Sequence, residues 1–215
     1  MGFRRSLSTA AAAAVVTVAL TAACPADAIV RSLSSFGANT LRAAVAEEEF
    51  SLNPAIPANI LTLPFGSLSL GTVTQFPVLG GADVQMAFVK VSLPSGSTLP
   101  AHHHPRGTEM DYVVSGAVKT GIAQEFGSDR PVVNVVASAG QLSVVPEGLI
   151  HAQTCVSHEP CVFIATFNTA DPGTALSGSS VCALTDAQVA PTLGNGLGPP
   201  MARAFCNAGV IIFKR

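Results

Sequence analysis

The residues best suited to metal chemistry are concentrated in one short stretch of the sequence. Three of the five histidines are consecutive, and the carboxylate of Glu109 follows soon after them. Side chains alternate between the faces of a β-strand, so His102 and His104 would point one way and His103 the other. The four residues His102, His104, Glu109 and His151 could together supply three imidazoles and one carboxylate to a divalent ion. An exposed histidine-rich loop is the alternative, and single histidines do not decide between the two.

The segments that must position these side chains have the pattern of β-structure. From residue 60 onward, short runs rich in Val, Ile, Phe and Thr alternate with Gly, Pro and Ser turns. This spacing predicts an all-β sandwich or barrel. The strand pattern stops after residues 171–173, and ALTDAQVAPTLG then predicts a short helix with Thr185 or Asp186 as N-cap and Gly194 at its end. Another short helix is predicted around residues 40–50.

The composition limits the classes of partner. Charged residues make up 11% of the chain, against about 25% in an average globular protein, and the formal net charge is −2. Basic residues form no cluster, which argues against nucleic acid as a partner because phosphate binding needs grouped Lys and Arg. The apolar runs are shorter than the roughly 20 residues of a membrane-spanning helix, so no membrane span is expected.

The N-terminus has the organisation of a secretory signal peptide. Arg4 and Arg5 precede an apolar run over residues 9–23, and the small-residue pattern Ala26-x-Ala28 follows. We expect cleavage after Ala28 and a protein that is secreted to the extracellular space or cell wall. A twin-arginine signal and lipid attachment at Cys24 remain as alternatives.

Two motifs framed by glycine and proline contain the candidate ligands. The first is Gly96-x5-His102-x-His104-x4-Glu109-x6-Gly116, and the second is Gly140-x5-Pro146-x-Gly148-x2-His151. Both resemble the two motifs of the cupin superfamily, and the wording HHHPRGTE, VVPEGLIH and FNTADPG resembles the germins in particular. The resemblance covers about residues 60–190. It implies an all-β cupin jelly-roll barrel with an N-terminal arm and a short helical C-terminal extension.

The resemblance and the composition together set the expected domain limits. We expect the signal peptide at 1–28, the N-terminal arm at 29–59, the cupin barrel at 60–173 and a partly helical C-terminal extension at 174–215. Germin-like proteins commonly assemble as trimers or hexamers, so the resemblance also implies a homo-oligomer. The C-terminal segment of this chain is unusual for the family, which makes the oligomer less firmly implied than the barrel.

Carried over residue by residue, the resemblance implies that His102, His104, Glu109 and His151 hold manganese. His103 then lies between ligands and outside the metal shell. Four such ligands leave two positions open on an octahedral ion, as redox or Lewis-acid chemistry requires. Ligand type alone does not select manganese, because the Irving–Williams order favours copper, nickel or zinc, so other divalent transition metals remain candidates.

Three positions bear on the substrate. Germins that oxidise oxalate carry two asparagines near the metal, and the matching positions here are Val89 and Leu99, which cannot donate a hydrogen bond from their side chains. Their loss puts oxalate oxidation in doubt. Asp111 shares the face of Glu109 on a regular strand and could act as a proton relay in the site. The alternative for Asp111 is a solvated strand residue.

The cysteines predict disulfides. After removal of the signal peptide four cysteines remain, and an even number in a secreted chain indicates two disulfides with three connectivities to choose from. Cys155–Cys161 and Cys182–Cys206 is the favoured pairing, since a hairpin could place Cys155 opposite Cys161. Cys155 also departs from the germin pattern, where the second motif usually continues His-x3-Asn.

Three functions are compatible with these features. The first is a secreted manganese cupin that dismutates superoxide, which needs a redox ion with an open position and little organic-substrate pocket. The second is an oxalate oxidase that produces hydrogen peroxide. The third is a non-enzymatic metal-binding wall or storage protein. The substrate of either enzyme would be a small molecule, namely superoxide or a small carboxylate.

Overall fold

The computed structural model describes residues 51–193 and 198–207. The predicted signal peptide, Cys24, the predicted helix around residues 40–50 and the predicted helix end Gly194 lie outside these ranges. The described part contains short 3-10 helices at Pro57–Asn59 and Pro77–Gly80. Its eleven strands are β1 Ile60–Leu63, β2 Gly66–Gly71, β3 Ala87–Leu93, β4 Thr98–His103, β5 Glu109–Ser115, β6 Ala117–Ala123, β7 Val132–Ser138, β8 Leu142–Val145, β9 His151–Cys155, β10 Cys161–Phe167 and β11 Ala175–Leu176.

The strands form two antiparallel sheets, which confirms the predicted all-β jelly-roll fold. The six-stranded sheet has the order β1-β2-β3-β10-β5-β8, and the five-stranded sheet has the order β11-β4-β9-β6-β7. Burial alternates along β5, β8, β9 and β10, as expected for strands with one face on a core. Both sheets contribute to one hydrophobic core, which includes Val91, Val113 and Phe163 from the larger sheet and Val118 and Ala137 from the smaller one.

Inward-facing residues line up across the larger sheet because the strands are in register. One row runs Leu70, Val89, Ala165, Asp111 and Ser143 across five neighbouring strands. The next row towards one end of the barrel contains Phe167 and Glu109. Side chains in one row of a sheet are near neighbours. Asp111 and Glu109 are two residues apart on β5, so they lie in adjacent rows and both point into the barrel.

The glycines of the first motif are needed for turn geometry. Gly116, between β5 and β6, has a φ of 78°, in the left-handed region that glycine favours. A Cβ at this position would lie 2.8 Å from Sγ of Cys161. The glycine therefore allows both the tight turn and the close approach of the β10 disulfide.

The C-terminal extension differs in part from the sequence prediction. The strand pattern does not stop at residue 173, because β11 pairs with β4 through Ala175–His103 and Leu176–His102. This pairing joins segments more than 70 residues apart, so no local sequence pattern predicts it. The predicted helix is present as Asp186–Leu193, and two further helices, Ser177–Cys182 and Pro199–Asn207, flank it. We label these three helices α1, α2 and α3 in chain order, α2 being the predicted one.

Local hydrogen bonds explain the start of α2. Thr185 immediately precedes the helix, and its backbone N–H and hydroxyl both donate to Oε1 of Gln188, at 3.0 and 2.8 Å. This arrangement is the Gln half of a capping box, which satisfies a donor at the helix start. Of the two predicted N-cap residues, Thr185 occupies the position.

Both favoured disulfides are confirmed. Cys155 is bonded to Cys161, which joins the end of β9 to the start of β10, and Cys182 is bonded to Cys206, which joins α1 to α3. Around the second disulfide, Val189 and Ala190 of α2 form a small separate core. Among the helices in the described ranges, none has the length and apolar character needed to cross a membrane.

Candidate metal centre

Sheet pairing brings two of the predicted ligands side by side. His102 in β4 is the registered partner of His151, the first residue of β9, and their ring centroids are 4.2 Å apart. Both side chains are buried, at 4% and 2% exposure. The imidazole of His151 points into the barrel because of the turn that precedes it and the alternation of side chains along β9.

The other two predicted ligands complete the cluster. His104 follows the end of β4, and Glu109 is the first residue of β5, where the sequence predicted a strand start. Oε2 of Glu109 lies 3.1 Å from Nε2 of His104 and 2.9 Å from Nε2 of His151. The ligand atoms of all four buried residues lie within 4.8 Å of one another, close enough to share one ion.

His103 is not part of this cluster. It alternates with its neighbours in the burial pattern of β4 and is only half-buried, whereas His102 and His104 are buried. The triple histidine therefore divides as strand alternation predicts.

Backbone carbonyls fix the tautomer of all three clustered imidazoles. Nδ1 of His102 lies 2.7 Å from the carbonyl oxygen of Pro100, and Nδ1 of His151 lies 2.9 Å from that of Leu149. A carbonyl only accepts, so each Nδ1 carries a proton and donates it. In the neutral form of each ring, Nε2 then has a lone pair directed at the centre of the cluster, as second-sphere hydrogen bonds arrange in metal sites.

The third carbonyl comes from far along the chain. Nδ1 of His104 donates to the oxygen of Gly173 at 2.5 Å, across 69 residues. The FNTADPG segment is held in place by Arg106, whose Nη2 lies 2.8 Å from Oδ2 of Asp171. Gly173 itself has a φ of 65°, and a Cβ there would lie 2.8 Å from the Arg106 guanidinium. This explains why a motif remote from the histidines belongs to the site.

Two buried polar atoms at the centre have no hydrogen-bond partner. They are Oε2 of Glu109 and Nε2 of His151, which face each other at 2.9 Å without hydrogen-bond geometry. A carboxylate oxygen and an imidazole lone pair at this distance repel unless a proton or a cation lies between them. The donor set therefore fits a divalent metal ion.

The pKa values in the metal-free protein follow from burial and mutual charges. Burial and the neighbouring His151 lower the pKa of His102 to about 4, so this ring is neutral at pH 7 and ready to act as a ligand. Burial raises the pKa of Glu109, but the imidazoles of His104 and His151 outweigh burial and hold it below its usual value. Burial lowers the pKa of His151, and the adjacent carboxylate more than reverses this.

A buried polar network lies behind Glu109. Nε2 of Gln153 donates to Oε1 of Glu109 at 3.2 Å and to Oδ2 of Asp111 at 3.4 Å, and the Ser143 hydroxyl donates to the same Oδ2 at 3.4 Å. Asp111 is completely buried, so the alternative of a solvated strand residue is wrong. Burial raises the pKa of Asp111, and the nearby Glu109 carboxylate raises it further.

Gln153 was missed in the sequence, although a signal for it existed. It stands two residues after His151 on the same strand, so alternation places both side chains on the inner face. A polar side chain at such a position next to a candidate ligand is the pattern expected of a residue that orients the metal ligands.

The open side of the cluster faces a cavity of about 430 Å³. His102, His104 and Glu109 line it, and so do Val89 and Leu99, the two positions that sequence comparison associated with the substrate. Strict alternation would place Leu99 on the opposite face from His102, three residues later. A β-bulge between them in the pairing of β4 with β9 restores Leu99 to the inner face.

Comparison with known proteins agrees with this fold. The sequence profile of the cupin family matches residues 50–191. The chain is 34% identical over 144 residues to germin-like protein 1-4 of Oryza sativa subsp. japonica, covering 63% of this chain and 61% of the relative. It is 33% identical over 101 residues to oxalate oxidase 1 of Hordeum vulgare, covering 47% and 49%. A solved structure of an oxalate oxidase superposes with a TM-score of 0.59 at 22% identity, covering 74% of this chain and 78% of the other.

The jelly roll, the histidine and carboxylate cluster and the family match define the class of protein: the chain belongs to the cupin family. The chain spans 60% of the length of germin-like protein 1 of Brassica napus and 61% of that of the Oryza sativa relative. Within the family it is a germin-like cupin with a buried His₃Glu site.

Proposed function

We propose that this germin-like cupin binds manganese and dismutates superoxide as a secreted redox enzyme. The observation that carries the proposal is the His₃Glu cluster, in which a backbone carbonyl holds Nδ1 of each of the three imidazoles and leaves Nε2 to act as the ligand atom. When bound, manganese would supply a one-electron redox couple that can alternately oxidise and reduce superoxide. The buried surroundings of the cluster hold the ligand atoms in place, and the dismutation of superoxide does not require a large substrate pocket.

The chain's own residues account for the requirements of this chemistry. Each clustered imidazole presents Nε2 to the centre, and Glu109 contributes a single negative charge. The cavity side leaves the centre accessible to a small molecule, because His102, His104 and Glu109 line it. A divalent ion with one carboxylate ligand carries a net positive charge, which attracts the superoxide anion.

Asp111 is the candidate for proton delivery in the dismutation. Peroxide formation consumes protons, and the carboxyl of Asp111 is connected to Glu109 through Nε2 of Gln153. Its position inside the barrel supports a role in the site rather than on the surface. Replacement of Asp111 by Asn keeps a side chain of the same shape and removes the titratable proton, so it should slow dismutation without preventing metal binding.

Oxalate oxidation is the second candidate, supported by the relative from Hordeum vulgare that is named oxalate oxidase 1. The side chains near the cluster weigh against it. Val89 and Leu99 line the cavity and offer no hydrogen-bond donor to a carboxylate. We therefore place superoxide before oxalate.

The test begins with metal content. The full chain is expressed with manganese in excess, because copper, nickel or zinc would otherwise compete for the same ligands, and the purified protein is analysed for bound metals. Superoxide and oxalate assays are then run on the wild type, on His151→Ala and on His103→Ala as the matched control. We expect dismutation in the wild type and in His103→Ala, and loss of metal and activity in His151→Ala. A folded, manganese-loaded protein that is inactive towards superoxide would refute the proposal.

Secretion is part of the proposal and has its own support. Two disulfides are typical of proteins that fold in an oxidising compartment. Expression of the full chain in a secreting host should release a protein whose N-terminal residue is Ile29. Retention of the whole chain inside the cell would contradict it.

An exposed apolar surface supports a homo-oligomer, as a trimer or hexamer. On the outer face of β5 and β8, Met110 pairs with Val144 and Tyr112 pairs with Leu142, and all four are 43–53% exposed. Strand β8 is at the edge of its sheet in the described part of the chain. Contiguous apolar surface at a sheet edge favours association with another copy. Light scattering after size exclusion should give a multimer that Val144→Lys dissociates.

A further inference from the structure

The barrel cavity is more apolar than a site for small inorganic or dicarboxylate anions requires. Of the fifteen side chains that line it in the described part of the chain, eleven are apolar. The polar ones are the three clustered ligands His102, His104 and Glu109, together with Thr174. The volume of about 430 Å³ is within the range of cavities that hold organic ligands.

The β1–β2 hairpin contributes a wall of leucines to this cavity. Leu61 pairs with Leu68 across the hairpin, and Leu68 in turn pairs with Val91 of β3. Leu63 and Leu70 extend the same inner surface. The four leucines are only half-buried although they line the cavity, so part of their apolar surface is left exposed by the side chains of the described ranges. Such a surface gains free energy when an apolar group covers it.

The charges at the polar end favour a ligand with one negative charge. A divalent ion and the Glu109 carboxylate together leave a net charge of about +1 at the cluster. One carboxylate neutralises this charge, whereas a dicarboxylate leaves a negative charge against an apolar wall. No Lys or Arg is among the described residues that line the cavity, so nothing there compensates a second carboxylate.

We infer that the cavity binds a monocarboxylate with an alkyl tail, its carboxylate at the metal centre and its tail against the leucine wall of Leu61, Leu63, Leu68 and Leu70. The inference rests on the metal centre of the proposed function but does not depend on dismutation. Branched aliphatic side chains form most of the wall, which suits a flexible chain of methylenes.

Calorimetric titration of the full chain tests the inference. Acetate, hexanoate, octanoate and decanoate are titrated into manganese-loaded protein, with oxalate and 1-octanol as comparison ligands. Each methylene that enters the apolar wall should tighten binding by up to about fourfold. Octanoate should bind at least about tenfold more tightly than 1-octanol, which lacks the charge, and than oxalate, which lacks the tail. Affinity that does not change with chain length, or oxalate binding tighter than octanoate, would overturn the inference.

Variants on one strand locate the tail. Leu68→Asn places a polar group in the wall, while Ser69→Asn changes the neighbouring residue, which does not line the cavity. We expect Leu68→Asn to weaken octanoate binding about tenfold or more and Ser69→Asn to leave it unchanged, with manganese content equal in both. Val89→Asn provides a second cavity variant on another strand if Leu68→Asn does not fold. Equal octanoate affinity in the cavity variant and the control would refute the placement.

The readouts separate this inference from the proposed function. Manganese-loaded protein that binds octanoate with the expected chain-length dependence but does not dismutate superoxide would refute only the proposed activity. Protein that dismutates superoxide but shows no chain-length dependence would refute only the carboxylate site. Absence of manganese binding would refute both.

Discussion

The run of three histidines provides an internal control for the metal centre. His102→Ala removes a buried imidazole whose Nδ1 is anchored by the Pro100 carbonyl, whereas His103→Ala removes a neighbouring imidazole outside the cluster. We predict that metal-dependent stabilisation is lost in the first variant and retained in the second. The quantity compared is the shift in melting temperature on adding manganese, measured for each variant against its own metal-free form. This removes any effect of the substitution on packing alone.

The size of the shift follows from linkage. Free metal at about 100 times its Kd stabilises the native state by about 2.7 kcal/mol, which corresponds to about 5–11 °C for a chain of this size. Loss of an orienting partner alone weakens metal binding by about 10–100-fold, so loss of a ligand should weaken it by about 100-fold or more. At the same metal concentration the stabilisation then falls to about 0.4 kcal/mol, or about 1–2 °C.

Differential scanning calorimetry on chelator-treated and manganese-loaded samples measures these shifts. His102→Ala should show less than a third of the wild-type shift, and His103→Ala should match the wild type. Equal losses in the two variants would mean that strand alternation does not assign the ligands. A wild type that no divalent transition metal stabilises would refute the site itself.

Three further predictions concern stability. Phe163→Ala should destabilise the protein by about 3–5 kcal/mol in urea denaturation, because Phe163 is completely buried. The control Phe126→Ala, at a fully exposed position, should change stability by less than about 0.5 kcal/mol. Similar changes in stability in the two variants would refute the core assignment. Replacing both Cys155 and Cys161 by Ala should cost about 2 kcal/mol, as expected for a loop of this length, and an unchanged urea midpoint would contradict this. Burial and the nearby metal-site carboxylate raise the pKa of Asp111, so in the metal-free protein this group costs stability as pH rises above the ordinary aspartate value. Asp111→Asn should therefore be more stable than the wild type at pH 7, with a difference that shrinks towards about pH 4; a pH-independent difference would refute the explanation.

Much of the site could be predicted from sequence because it depends on local rules. Strand alternation separates His103 from its two neighbours, and turn residues place Glu109 and His151 at the starts of strands. The same rules did not assign Asp111. Its alternation with Glu109 was visible, but whether that face was solvated depended on the packing of the second sheet.

The C-terminal region shows where local rules stop. The helix α2 could be predicted because Thr185 and Gln188 form their capping contacts within four residues. Strand β11 could not, since its two residues become a strand only by pairing with β4. Helix α1, whose sequence SGSSVC is a poor helix former, likewise depends on its surroundings.

By itself the sequence determined the types of ligand, their order along the chain and the alternation that sorts the three histidines. Only the tertiary structure decided that His151 pairs with His102, that the Gly173 carbonyl orients His104, and that a bulge turns Leu99 into the cavity. The physical reason is the range of the interactions. Alternation and turn geometry act between residues a few positions apart, whereas register, bulges and a shared cavity arise when distant strands pair and bury their inner faces together.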